Sequence, residues 1–172
     1  MHFDMITTSS HASFDAAWNL YERAFPLSEK RTKEEQEKTL QKENYSFMAC
    51  FHEESFIGIL GFWKIEDYLF IEHFAIDEAF RGQNYGSKVL TIFLEKYTEV
   101  FLEIEPPLCK ISKRRLKFYQ NLGFVQNVYE HYQLPFRDGD TLLSLRILSW
   151  QTPLKKERYD MLYAKMHKLL PL

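Results

Sequence analysis

The sequence predicts an α/β chain of the α+β kind, with a mixed, mainly antiparallel central sheet flanked by helices on both faces. Three observations predict it. Residues 45–76 hold three consecutive apolar, strand-like runs parted by short polar turns. A glycine-containing loop, RGQNYGSK (81–88), then leads through an amphipathic run to a further strand-like run. That is a β–α–β crossover, which needs a helix to carry the chain back over the sheet. Helix-patterned segments stand both before and after this block, so both faces of the sheet can be covered.

The elements follow in order. Residues 3–8 predict a short strand. In FDAAWNLYERAF (14–25), Phe14, Ala17, Trp18, Tyr21, Ala24 and Phe25 recur at helical spacing, and Pro26 ends the helix. SEKRTKEEQEKTLQKE (28–43) is almost wholly polar and predicts a solvated helix, with Thr32 and Glu35 spaced as a capping box. YSFMACF (45–51), FIGILGFWKI (56–65) and YLFIEHFAI (68–76) predict an antiparallel meander, turning at HEES and at Glu66–Asp67. VLTIFLEKY (89–97) continues the helix that the glycine loop opens, and VFLEI (100–104) predicts the crossover strand, broken off by Pro106 and Pro107. RRLKFYQNL (114–122) predicts a short helix stopped by Gly123. Two strands near 125–134 and 141–150 are joined by the turn signal FRDGD. Thr152 and Pro153 are placed as N-cap and first residue of a last helix over 154–170. A length of 172 residues suits one domain, residues 1–172, with that last helix as an extension.

Composition narrows the class. Hydrophobic residues make up 45 % and aromatic residues 16 %, which excludes a disordered chain. A formal net charge of -2 argues against a nucleic-acid partner that binds a basic field. No apolar run is long enough for a membrane span, and the start MHFDMITTSS lacks the basic and apolar regions of a secretion signal. Two cysteines, Cys50 and Cys109, build no disulfide framework, so a cytoplasmic protein is expected. The six histidines are scattered, without CxxC, HxxxH or HxH, so no metal is expected.

The loop 81–88 poses the functional question. A helix start presents unpaired amides and the positive end of its dipole, glycine lets a ligand approach the backbone, and arginine can fork onto phosphate. An anionic group, a phosphate above all, fits there; so does a plain turn that needs glycine to bend.

Three segments in order carry a resemblance to the GNAT superfamily of acyl-CoA-dependent N-acetyltransferases: FAIDEAFRGQNYGSKVL (74–90), VFLEIE (100–105) and KFYQNLGF (117–124). Together with the layout, the resemblance spans about Tyr45 to Trp150. It departs from the family pattern at Asn84, which stands for the first glycine of the usual R/Q-x-x-G-x-G/A loop, and at Ser112 and Arg115, where many members carry Asn and Ala. Asn tolerates positive φ better than other residues with a side chain, so the loop can keep its shape.

The resemblance implies acetyl-CoA as co-substrate and a primary amine, on a small molecule, protein or peptide, as acceptor. The alternatives are a non-catalytic acyl-CoA-binding regulatory domain and a protein-binding adaptor. Arg81, Gly82, Gln83, Asn84, Tyr85, Gly86 and Ser87 would cradle the pyrophosphate. The backbone of Phe74, Ala75 and Ile76 would pair with the pantetheine amides, and Ser112 and Phe118 would lie along the cofactor. Tyr119 would protonate the departing thiolate, although a core tyrosine reads equally well from pattern alone. For the base, Glu72 comes first and Glu105 second, or none is needed if the amine arrives neutral. Strand alternation sends His73 to the face opposite Glu72. The acceptor would be shaped by residues 18–32 and 129–142, which hold Trp18, Tyr21, Phe25, Tyr129, His131, Tyr132 and Phe136. A monomer or homodimer is expected.

Overall fold

The computed structural model describes residues 1–133 and 143–170. FRDGD and Phe136 lie outside the described residues. The elements are β1 (His2–Ile6), α1 (Phe14–Ala24), α2 (Lys33–Thr39), β2 (Tyr45–His52), β3 (Ser55–Ile65) and β4 (Tyr68–Ile76). Then follow α3 (Tyr85–Lys96), β5 (Val100–Ile104), α4 (Lys110–Asn121), β6 (Phe124–Gln126), β7 (His131–Tyr132), β8 (Ser144–Trp150) and α5 (Lys156–Leu169). The sheet runs in the order β1-β2-β3-β4-β5-β8-β6, with β7 also paired to β8. Among the described residues only β4 and β5 run parallel, and every other pairing is antiparallel. The mixed sheet and its layers are therefore as the sequence predicts.

The sheet divides the core into two layers. On one face α1 and α5 pack Trp18, Tyr21, Leu162 and Met166 against Phe47, Ile59, Trp63, Phe70 and Phe101. On the other, α3 and α4 pack Val89, Leu90, Phe93 and Tyr119 against Leu60, Ile71, Leu102 and Leu148. Alternating side chains of each strand feed the two layers, the expected outcome for a sheet covered on both sides.

Several boundaries differ from the sequence reading. The polar run 28–43 is not wholly solvated: Arg31, Gln36 and Thr39 are buried, and α2 is only Lys33–Thr39. The Thr32–Glu35 capping box is present in both directions. α4 starts four residues before the predicted 114, because Cys109 and Ser112 cap it reciprocally. In place of the strand predicted near 125–134, the described residues hold two short strands, β6 (Phe124–Gln126) and β7 (His131–Tyr132). The last helix opens at Lys156 with Lys155 at its N-cap, not at Thr152–Pro153. The Thr152 amide instead bonds to the Trp150 carbonyl, and the Ser149 hydroxyl donates to the Thr152 carbonyl, holding that segment in a turn.

Two irregularities position the site. β4 and β5 pair only over Leu69–Ile71 and Val100–Leu102, and among the described residues β4 then runs on to Ile76 without a partner on that side. β4 also carries one extra residue: Gly61 faces His73 and Phe62 faces Ile71, so Glu72 has no partner across the ladder. This is a β-bulge.

Candidate active site

Where β4 and β5 part, a cleft of about 410 Å³ opens. Glu72, His73, Phe74, Ala75 and Ile76 line it from β4; Leu102, Glu103, Ile104 and Glu105 from β5 and beyond. Phe25, Pro26 and Glu29 close it on the α1 side, and Arg115 and Tyr119 on the α4 side.

At the mouth lies the loop 81–88. Asn84 sits in the left-handed region at φ 64° and is the N-cap of α3; Gly82 has φ 77°. The first helical bond of α3 runs from the Lys88 amide to the Asn84 carbonyl, 3.1 Å. The amides of Tyr85, Gly86 and Ser87 therefore have no acceptor within the helix. The Arg81 Nε donates to the Ile76 carbonyl at 2.9 Å, which ties the loop to the end of β4. Gly86 faces Ile76 and Phe118, each 3.5 Å from where a Cβ would stand. Phe118 in turn stacks on Phe74 across the cleft edge. Ser112 is buried in the α4 cap, hydrogen-bonded to Cys109, and does not line the cleft.

Tyr119 is buried beside Phe118 and Phe124 and reaches the cleft. Burial pushes its hydroxyl up to about 12, with the charge of Arg115 opposing. Among the described residues that hydroxyl has no hydrogen-bond partner, and Tyr119 lines the cleft.

A family model described as "Acetyltransferase (GNAT) family" matches residues 14–124. The chain belongs to the GNAT acetyltransferase family. A solved structure titled "Putative acetyltransferase from GNAT family from Bacteroides thetaiotaomicron" is 28 % identical, with a TM-score of 0.92, covering 99 % of this chain and 98 % of that one. The Bacillus subtilis protein named "Putative acetyltransferase YjbC" is 25 % identical over 145 residues, 81 % of this chain and 73 % of its own length. A GNAT acetyltransferase of Elizabethkingia anophelis, solved with acetyl-CoA bound, shares the fold at 16 % identity and a TM-score of 0.59, covering 88 % of this chain and 97 % of that one. This GNAT protein is thus an acetyl-CoA-dependent acyltransferase.

Glu72, first choice for the base of this acetyltransferase, is held differently from expectation. The Arg31 guanidinium grips both its oxygens, at 2.8 and 2.7 Å, and the Trp63 indole N–H donates to it at 2.9 Å. The two charged side chains are 1 % and 5 % exposed. Burial pushes the Glu72 carboxyl up, but the charges of Arg31 and then His73 outweigh it and hold it well below the usual carboxylate range. A carboxylate so paired is a weak proton acceptor. His73 is a correction as well. The bulge cancels the alternation, so His73 shares the α1 face with Glu72, its Nδ1 lying 3.3 Å from a Glu72 oxygen. Its Nε2 meets the Glu29 carbonyl at 2.8 Å and the Tyr21 hydroxyl at 3.4 Å. Glu105 is 44 % exposed and paired with Arg115 at 2.5 Å.

Sequence reasoning missed Arg31, Glu29 and Glu103. Arg31 lies inside a charge run, and only its position just before the α2 N-cap Thr32 could mark it. Glu29 lines the cleft, and burial followed by the charge of Glu105 raises its carboxyl. Glu103 reads from the sequence as an ordinary strand residue, although alternation along VFLEI puts it on the same face as buried Phe101. Of the expected acceptor-side aromatics, Phe25 lines the cleft, whereas Trp18 and Tyr21 are core. Among the described residues no group of three His, Cys, Asp or Glu is placed to hold a metal ion, and no helix is long and apolar enough to cross a membrane.

Proposed function

We propose that this enzyme moves the acetyl group of acetyl-CoA to a primary amine by direct attack within a ternary complex. The observation that carries the reading is the parting of β4 from β5, with acceptor-less amides at one mouth and polar side chains along both walls. The unpaired edge of β4 over Phe74–Ile76 is a strand waiting for a partner, and the amide-bearing pantetheine arm is of that kind. The pyrophosphate takes the amides of Tyr85, Gly86 and Ser87, aided by the α3 dipole and by residues 81–84 of the loop. Asn84 supports the fit rather than weakening it, since it adopts the left-handed geometry that a glycine would supply.

The roles divide by face. Tyr119, on the α3–α4 face, hands its proton to the thiolate as the carbon–sulfur bond breaks. The acceptor comes from the α1–α5 face, where Phe25, Glu29 and Glu103 stand, and where a cationic small-molecule amine or a peptide amine meets carboxylates. Neither thiol favours an acetyl-enzyme intermediate: Cys50 is fully buried with its thiol pushed up to about 12 by burial, and neither cysteine lines the cleft. Residues 1–172 act as one catalytic domain.

Thermal unfolding with acetyl-CoA, free CoA and ATP tests the reading. At roughly 100-fold excess over Kd a specific ligand adds about 2.7 kcal/mol of stability. Acetyl-CoA and CoA should raise the midpoint and ATP should not; no shift with acetyl-CoA refutes the cradle.

A further inference from the structure

Glu72 and Glu105 are both held by arginines, yet a transferase that takes its acceptor as an ammonium ion needs a proton acceptor on the acceptor face. Glu103 stands there. It is the last β5 side chain on the α1–α5 face before the strand ends, it lines the cleft, and its side chain keeps 14 % of its surface open. One oxygen is held by His131 Nε2 at 2.5 Å. His131 is fully buried, and its other nitrogen faces the Tyr159 hydroxyl at 3.0 Å. That hydroxyl also lies 3.0 Å from the Glu130 carbonyl.

The direction of these bonds follows from what each group can do. A carboxylate only accepts, so His131 Nε2 carries the hydrogen. The Tyr159 hydroxyl can give its hydrogen to Nδ1 of a neutral imidazole, or turn it to the Glu130 carbonyl when Nδ1 is protonated. Both imidazole nitrogens keep a partner in either state, and Nε2–H stays on Glu103 in both. The chain Tyr159–His131–Glu103 thus fixes one carboxylate oxygen and leaves the other to the cleft.

Resting on the function proposed above, we infer that Glu103 is the general base and that His131, through Nε2–H, is its positioning residue. The steps balance as follows. Glu103 takes one proton from the bound ammonium and passes it to solvent. The freed nitrogen lone pair forms the C–N bond to the thioester carbonyl carbon. The C–S bond breaks, with sulfur taking the Tyr119 proton. The second nitrogen proton leaves through Glu103 and solvent, and Tyr119 is reprotonated from solvent. The net products are amide, CoA thiol and one proton.

The charged and titratable groups around the pair are Glu29 on the loop before α2, Tyr159 and Tyr163 on α5, Glu105 just past the end of β5, and Arg115 on the α4 side. None of them reaches the free Glu103 oxygen with a hydrogen bond among the described residues.

The test measures CoA thiol release from acetyl-CoA with butylamine, 1,4-diaminobutane and glycinamide, for wild type, Glu103→Gln, His131→Gln and His131→Ala, from pH 6 to 10. Loss of a general base should lower kcat/KM of Glu103→Gln by ~10²–10³-fold at pH 7. The defect should shrink about tenfold per pH unit towards each amine's own pKa, because free neutral amine no longer needs a base. A merely structural role would leave a defect that pH does not rescue. His131→Gln, which can still donate, should retain more activity than His131→Ala, with KM for acetyl-CoA unmoved in both. The inference is overturned if Glu103→Gln matches wild type at pH 7 or if its defect is constant with pH. It is also overturned if wild type, though stabilised by acetyl-CoA, releases no thiol with any of these unhindered amines. Absence of acetyl-CoA stabilisation in wild type would instead refute the underlying reading. Unfolding midpoints of each variant, with and without acetyl-CoA, separate misfolding from lost chemistry.

Discussion

Replacing Arg31 with methionine leaves the Glu72 carboxylate buried with only the Trp63 indole and His73 for company. Two charge-assisted hydrogen bonds of 2.8 and 2.7 Å disappear from a pair that is 1 % and 5 % exposed. Breaking such a pair from one side costs about 3–5 kcal/mol. For a chain of 172 residues at about 2–4 °C per kcal/mol, the midpoint should fall by about 6–20 °C. The pH dependence gives a sharper check. In the wild type the folded Glu72 carboxyl lies below its ordinary 4.5, so its stabilisation is present above pH 4.5 and is lost as pH falls through the folded value. Without Arg31, burial dominates and the folded carboxyl rises above 4.5. The penalty is then absent below that pH and grows as pH rises through the new folded value. The gap between Arg31→Met and wild type should be narrower at pH 4.5 than at pH 8. The double variant Arg31→Met/Glu72→Met should recover most of the loss, since an apolar pair of similar volume leaves no stranded charge. Urea and thermal unfolding at the two pH values measure all of this. A single variant within about 2 °C of wild type, or a gap that does not change with pH, would refute the assignment of Glu72 to the fold.

Tyr119→Phe should lower kcat by about 10–100-fold, less than an essential group because a thiolate leaves partly unaided, while acetyl-CoA still raises the unfolding midpoint as in wild type. Because the Tyr119 hydroxyl is pushed up to about 12, wild-type activity should show no basic limb from its ionisation until pH approaches that value, which a pH–rate profile checks. Asn84→Gly should keep the acetyl-CoA thermal shift, since glycine adopts φ 64° freely, whereas Asn84→Val should lose about 1–2 kcal/mol of stability and reduce the shift.

The fold was legible because its signals are local. Three alternating runs with polar turns specify a meander, and FAIDEAFRGQNYGSKVL specifies strand, loop and helix in sequence. The loop could be read down to Asn84, whose tolerance of positive φ is a property of the residue itself. The wall opposite was not legible. Arg31 reaches Glu72 across 41 positions and His131 reaches Glu103 across 28. Pairings of that span depend on how the helices lie over the sheet, and hydrophobic period carries no record of it. The Lys155 cap was missed for a related reason: Thr152–Pro153 is a good local start, but Ser149 and Trp150 claim Thr152 for a turn first.

The bulge at Glu72 shows how one residue decides the chemistry of a wall. In a regular strand Glu72 and His73 would face opposite layers, and Glu72 alone would stand on the α1 face. The extra residue rotates His73 onto that same face, where Tyr21 and the Glu29 carbonyl receive it. Segment 27–32 is thereby pinned to β4 at two residues, by Arg31 on Glu72 and by the Glu29 carbonyl on His73. Such pinning is what a cleft wall needs where the β4–β5 pairing has ended and β4 keeps its ladder to β3 alone. Glu72 is spent on that task, and the proton-accepting task falls to a strand that is still straight. On β5 the alternation is intact, Phe101 and Glu103 face the same layer, and a buried histidine rather than an arginine holds the carboxylate. A single imidazole N–H orients one oxygen and leaves the other to the cleft, whereas the Arg31 fork takes both, which is the difference between a carboxylate that can take a proton and one that braces a wall.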